Sequence, residues 1–186
     1  MDPLLVVLDI DETLVYSSRE RLEQEPDFTV GPFFVHKRPG VDEFLAAVFA
    51  SYRVVFWTSS SPGYAHPLLR RLLPESAEPV FVWCSDRCTR RFDPDDLRYY
   101  GAKKLAKVKW LGYDLRRVVV VDDTPQKHRQ NYGNWIRIEA FAGDLSDRAL
   151  ERLVPFLAAL SEEANGRAVE KRGWQFRSSV EPKEAE

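Results

Sequence analysis

Three clusters of oxygen-bearing side chains punctuate this 186-residue chain, and each follows an apolar run. Asp9-Ile10-Asp11-Glu12-Thr13 follows "LLVVL", Thr58-Ser59-Ser60-Ser61 follows "RVVFW", and Asp122-Asp123-Thr124-Pro125 follows "RRVVVV". Carboxylates crowded in this way repel one another unless a cation offsets them, and all-oxygen donors of this hardness suit Mg²⁺. Asp9 with one of Asp122 or Asp123 would hold the ion. Backbone N–H groups of the first loop, such as that of Ile10, and the hydroxyls of Thr58 and Ser59 would cradle a phosphoryl group. A lysine must offset the remaining charge, and "AKKLAKVK" offers Lys103 and Lys104 upstream of the third cluster. One carboxylate can then attack phosphorus. A second, two residues on, can protonate the departing oxygen and later deprotonate water.

Those clusters act together only if the chain brings them to one place. "LLVVLD", "RVVFWTS", "RRVVVVDD" and the shorter "NWIRI" have the composition of buried strands. "VDEFLAAVFASY", "AHPLLRRLL" and "SDRALERLVPFLAALSE" carry helical spacing, the last with Ser146 as N-cap and Pro155 as a kink or break. Strands apolar on both faces and alternating with helices imply an α/β fold: a Rossmann-like, mainly parallel sheet with helices on both faces. Ligands of such sheets bind at the carboxyl ends of the strands, where all three clusters fall. The segment "VFVWCSDRCTRRFDPDDLRYY" has a turn signal between β-type residues and is expected to form a short hairpin insertion at about 79–100, too small for a large cap. The expected division is a catalytic domain over 1–160 and a polar tail over 161–186. Trp174 and Phe176 are candidates to dock, and the last eight residues are expected to be disordered.

Composition sets outer limits. The apolar fraction of 44% and charged fraction of 30% belong to an ordinary globular domain. With no apolar run of about 18 residues and no basic leader, neither a membrane span nor a signal peptide is expected, and the cytoplasm is the default setting. Cys84 and Cys88 have no second Cys/His pair, so they are expected to be small apolar side chains rather than zinc ligands. His36, His66 and His128 lack partners at catalytic spacing. Tyr64 and His66 follow the second cluster closely enough to line its mouth. The net charge of −2 is uneven: residues 1–60 carry ten acids and five bases, residues 61–133 nine acids and fourteen bases, which suits a site that attracts anions.

"DIDETLV", "KRPGVDEFL", "VVFWTSS", "KKL" and "VVVVDDTP" resemble, in order, the signatures of the haloacid dehalogenase superfamily. More narrowly they resemble the branch of small C-terminal-domain phosphatases and their bacterial relatives, over about residues 4–160. The resemblance implies Asp9 as nucleophile and Mg²⁺ ligand, and Asp11 as general acid/base with its carbonyl on the metal. It implies Thr13 as a brace of the loop, Thr58 as the phosphate-binding hydroxyl, Lys103 in preference to Lys104 as the functional lysine, and Asp123 as the side-chain metal ligand with Asp122 beside it. Eukaryotic members tend to have Asp-Asn where this chain has Asp122-Asp123. The expected activity is a Mg²⁺-dependent phosphomonoesterase acting on phosphoserine or phosphothreonine of a protein. The alternative is a phosphatase of nucleic-acid ends, helped by the basic stretch Arg87–Lys109, and a third option is a non-catalytic phosphate-binding module.

Overall fold

The computed structural model describes residues 2–176. The first half of the chain forms β1 (Leu5–Leu8), β2 (Val15–Ser18), β3 (Phe28–Val30), β4 (Phe33–Lys37), α1 (Val41–Ser51), β5 (Arg53–Trp57) and α2 (Pro62–Leu72). The second forms β6 (Val82–Trp83), β7 (Thr89–Asp93), β8 (Arg98–Ala102), α3 (Ala106–Trp110), β9 (Val118–Asp122), β10 (Trp135–Arg137) and α4 (Ala149–Ser161). Five strands make one parallel sheet in the order β10-β9-β1-β5-β6. Strand order reverses around β1, and the register sets Leu8 beside both Val121 and Phe56. Asp9, Asp122 and Thr58 therefore leave the sheet at neighbouring points of its carboxyl edge.

Alternation along β1 supplies both cores. Leu4, Val6 and Leu8 face one cluster with α1, α2 and α4, while Leu5 and Val7 face a smaller one with Val108 of α3. Burial of each such side chain contributes about 1.5–3 kcal/mol, so the strand positions are held far more firmly than any loop. The expected mainly parallel sheet with helices on both faces is present, and among the described residues no helix is long and apolar enough to cross a membrane.

Several local expectations are corrected. β2, β3 and β4 form an antiparallel three-stranded sheet, order β2-β4-β3, that sequence pattern did not suggest. Its strands are short: β3 alternates over only three residues, and β2 and β4 are partly exposed with no period of two. Val82–Trp83 joins the parallel sheet beside β5 rather than the insertion, so the hairpin is narrower, β7 against β8. α4 begins at Ala149, not at Ser146, because Ser146 Oγ is bonded to Asp144 Oδ1 at 2.8 Å while Asp147 Oδ1 accepts from Ala149 N at 2.8 Å. The same helix runs through Pro155 without a break. Trp174 docks against Phe156 with 5.8 Å between ring centroids, and Phe176 stays exposed. The disorder expected of the last eight residues concerns positions outside the described residues.

Candidate active site

The loop after β1 is a tight turn. Leu14 N and Val15 N both donate to Ile10 O, and Glu12 holds a left-handed φ of 60° that places its side chain in solvent. A non-glycine residue there stores on the order of 1–3 kcal/mol of strain, which the surroundings must overcome. They do so through Phe141 N, which donates to Glu12 O at 2.7 Å, and Arg38, whose Nη1 donates to Thr13 O at 3.0 Å. Arg38 is itself held by a two-pronged pair with Asp147, at 2.9 and 2.7 Å. Thr13 is thus anchored through its backbone. Its buried hydroxyl has no partner among the described residues, so the brace expected of that side chain is supplied by Arg38.

Asp9 is buried at the end of β1, and both its oxygens are occupied. Lys103 Nζ lies 2.9 Å from Oδ1, which also accepts Ile10 N at 2.9 Å, and Lys127 Nζ lies 2.7 Å from Oδ2. Lys103 also reaches Asp122 Oδ2 at 2.5 Å, and Lys127 comes within 3.5 Å of Asp122 Oδ1. Of the two candidate lysines, then, Lys103 meets the acids and Lys104 faces a neighbouring cavity. Burial, and after it the Asp122 charge, push the Asp9 carboxyl above the ordinary range against the pull of both lysines. Asp122 is held well below that range: burial opposes its charge, but Lys103, His128 and Lys127 outweigh burial. Burial and then Asp122 push the half-buried Asp123 up to about 6.

Lys127 was not foreseen. It sits five positions beyond Asp122, and no periodic pattern marks it. The short 3-10 turn Pro125–His128 folds it back over the strand ends. His128, expected to be without a catalytic partner, is buried beside Asp122. Its Nε2 is 2.9 Å from Asp122 Oδ2, close enough for charge and dipole to act but not a well-aligned hydrogen bond. Burial lowers the imidazole pKa against the pull of Asp122, and the ring stacks on Trp135 at 5.9 Å. Asn131 ties this turn to the lysine loop, donating from Nδ2 to Lys103 O while Oδ1 accepts Leu105 N at 3.2 Å.

Asp11 stands apart. Ser60 Oγ donates to its Oδ2 at 2.7 Å and Tyr64 OH to its Oδ1 at 2.6 Å. Tyr64 OH is also 2.6 Å from Ser17 Oγ. Burial, then Asp11 itself, push the Tyr64 phenol up, which keeps it a donor. Thr58 is buried, and its Oγ1 accepts Ser60 N at 3.0 Å, which turns the second loop toward Asp11. Ser59 is exposed and lies beside the hairpin: a Cβ on Gly101 would come within 2.9 Å of Cys88 Cβ and 3.8 Å of Ser59 Oγ. Burial raises the Cys88 thiol, and both cysteines are free. His66 is exposed on α2 and lines a different cavity.

The donor set fits a hard divalent cation. Asp9, Asp122 and Asp123 each offer a carboxylate oxygen, all within 4.8 Å of one another, with no thiolate or charged imidazole among them. Three carboxylates face two ammonium groups, which leaves negative charge for a cation to offset.

Fold and site define a Rossmann-like α/β protein with its acids at the switch point of a parallel sheet. It is similar in fold to a haloacid dehalogenase-like hydrolase of Xanthomonas campestris, with a TM-score of 0.51 and 15% identity over 87% of this chain and 97% of that one. The chain belongs to the NLI interacting factor-like phosphatase family, whose model matches residues 4–167. It is 35% identical over 164 residues to "CTD small phosphatase-like protein 2" of Dictyostelium discoideum, covering 84% of this chain and 27% of that protein. It is 34% identical over 183 residues to "CTD nuclear envelope phosphatase 1B" of Danio rerio, covering 90% of this chain and 71% of that one. The chain spans 27%, 44% and 60% of the length of the first three curated relatives it matches. In fold it is similar to the fission yeast RNA polymerase II CTD phosphatase Fcp1, with a TM-score of 0.53 and 16% identity over 86% of this chain and 51% of that one.

Proposed function

We propose that this chain is a Mg²⁺-dependent phosphomonoesterase that works through an aspartyl-phosphate on Asp9 and acts on phosphoserine or phosphothreonine of a protein. The observation that carries it is the unlike surroundings of two carboxylates two residues apart. Asp9 is buried among lysines and acids, whereas Asp11 faces only hydroxyl groups. Asp9 is the group to attack phosphorus: its oxygen forms a bond to phosphorus as the bond to the substrate oxygen breaks. Asp11 gives its proton to that departing oxygen. A water then loses a proton to Asp11 and attacks phosphorus, which frees the Asp9 carboxylate and releases phosphate. Lys103 and Lys127 offset charge that develops on the phosphoryl oxygens, and the Thr58 loop orients them. Asp9, Asp123 and the Asp11 carbonyl are the proposed Mg²⁺ ligands, with Asp122 holding Lys103 in place. The ion supplies further neutralisation of the transferred group.

Among the described residues the parallel sheet is accompanied only by a two-stranded hairpin and a three-stranded sheet, which supports access for a side chain on a folded partner. The relatives named as CTD phosphatases favour a phosphoprotein substrate of that kind. A specific feature supports a second reading, a phosphorylated nucleic-acid end: on the hairpin the Arg90 guanidinium lies 3.8 Å over the Tyr99 ring, and exposed Phe92 meets Tyr99 edge-on, a surface on which a base can stack. Two free thiols suit a reducing compartment, and the cytoplasm is the proposed setting.

Turnover of p-nitrophenyl phosphate with and without Mg²⁺ is the first test. Activity is expected only with the metal and is expected to vanish in Asp9→Asn. No turnover with any divalent metal, or a rate that survives Asp9→Asn, ends the proposal. Phosphopeptides and phosphorylated oligonucleotides are then compared at rising salt, which weakens nucleic-acid binding far more steeply.

A further inference from the structure

On the far side of Lys103 and Lys127 from Asp9, the β7–β8 hairpin and the turn after β9 enclose a cavity of about 210 Å³. Arg91, Lys103, Lys104, Lys127 and Arg129 line it, and no acidic side chain does. The two lysines shared with the active site hold Asp9, and Arg129 reaches Asp93 at 3.1 Å. Arg91 and Lys104 have no ion pair among the described residues. Cations gathered in a recess partly withdrawn from water repel one another, and an anion offsets that repulsion. Gln126 and Gln130 add amide donors to the same wall.

We propose that this cavity is a second anion subsite, which holds a phosphate or carboxylate of the peptide on either side of the residue being dephosphorylated. The inference rests on the phosphoprotein phosphatase reading above and narrows its substrate to multiply phosphorylated or acidic sequences. Lys103 and Lys127 form the wall between the two sites, so one substrate can span both. The recess is sized for a single anionic group. On the other side of Asp9, the Asp11 carboxylate with Ser60, Tyr64 and Ser17 offers no positive charge for a continuous phosphodiester backbone. A peptide with one additional charged side chain matches this layout, and a nucleic-acid strand does not.

The test compares kcat/KM for peptides of one sequence that carry the target phosphoserine alone, with a second phosphoserine, or with glutamate in that second place. The second position is moved within about four residues on either side, a reach of roughly 13 Å of extended chain. At one spacing the doubly phosphorylated peptide is expected to be favoured about tenfold or more, and glutamate by a smaller factor. Arg91→Glu and Lys104→Gln, with thermal unfolding recorded to show that each folds, are expected to bring that ratio within about twofold of unity. The ratio is taken within each protein, so any general loss of rate cancels. No advantage at any spacing, or an advantage that survives both substitutions, overturns the subsite while leaving the phosphatase reading intact. A preference for phosphorylated oligonucleotides over every peptide, lost in the same variants, overturns the peptide assignment. Absence of p-nitrophenyl phosphate turnover in the unmodified protein removes the phosphatase reading itself, and the subsite with it.

Discussion

Asp9 and Asp11 are separated by one residue and have nothing else in common. Asp9 ends a strand buried on both faces, and its two oxygens meet two ammonium groups. Asp11 lies past the end of that strand, half-buried, and is held by neutral hydroxyls alone. One backbone step thus separates a carboxylate tied to fixed positive charge from one that can take up and release a proton without breaking an ion pair. In the proposed mechanism, position on the sheet edge, not residue type, assigns each acid its task.

The contrast breaks most visibly at Asp11. Asp11→Asn keeps the size of the side chain and one acceptor oxygen for the two hydroxyls, turns the other acceptor into a donor, and removes the proton carrier. Turnover is expected to fall by on the order of 10²–10⁴, the worth of a positioned general acid/base. Loss of the water-activating step should leave phosphate on Asp9, visible as a mass increase on intact protein after a brief exposure to substrate. Full activity in this variant would remove the assignment.

The next effect is on the Asp9 side and concerns its two lysines. Lys103 is fully buried and bridges Asp9 and Asp122, so Lys103→Met leaves two buried carboxylates with Lys127 as their one remaining lysine among the described residues. Breaking a buried pair in this way costs about 3–5 kcal/mol, and urea unfolding should show it. Lys127 retains some contact with solvent, and its removal leaves Lys103 in place. Lys127→Met should therefore destabilise the fold by roughly 1–2 kcal/mol. Equal losses from the two substitutions would show that burial does not rank the two charges.

How far the sequence reveals this arrangement varies with the physics of each part. β1, β5 and β9 are legible because strands buried on both faces are almost wholly apolar, and the acids and hydroxyls that end them stand out against that background. Asp9, Asp11, Thr58 and Asp122 followed from those endings. β2, β3 and β4 were not legible, since β3 alternates over only three residues and β2 and β4 are partly exposed with no clear period. Lys127 was missed for a different reason: its place depends on one 3-10 turn, and a lysine in a polar stretch is ordinarily solvated. Tyr64 was named only as a mouth residue because α2 was expected to start at Ala65. With Pro62 as its first residue, the tyrosine falls in the first turn, facing Asp11.

Asp123 offers a gentler probe, through pH. Its carboxyl is pushed up to about 6, first by burial and then by Asp122. The folded state therefore binds this proton more tightly than the unfolded chain, whose aspartate titrates near 3.9. The sign follows: below the unfolded value Asp123 costs the fold nothing, and its cost grows as pH rises through about 6. Asp123→Asn should stabilise the metal-free protein by roughly 1 kcal/mol near pH 7.5, after allowance for its partial exposure, with the gain shrinking toward pH 5. Mg²⁺ should offset the same penalty in the unmodified protein, so the metal's effect on Tm is expected to be smaller in the variant. A gain in Tm that does not change with pH would place the effect elsewhere.

The smallest expected change tests how Asp11 is aimed. Tyr64→Phe removes one of its two hydroxyl donors and leaves Ser60 in place. A single hydrogen bond of this kind is worth about 0.5–1.5 kcal/mol, or roughly a twofold to tenfold loss in rate. The dependence on leaving group is more telling than the size. p-Nitrophenolate departs with little help from a proton, whereas the alkoxide of a serine side chain needs one. Tyr64→Phe should slow a phosphoserine peptide more than p-nitrophenyl phosphate if the phenol orients Asp11 as a proton donor. Equal slowing of both substrates would mean that Tyr64 only supports the loop, and that Asp11 owes its role to Ser60 and its own place beyond the strand.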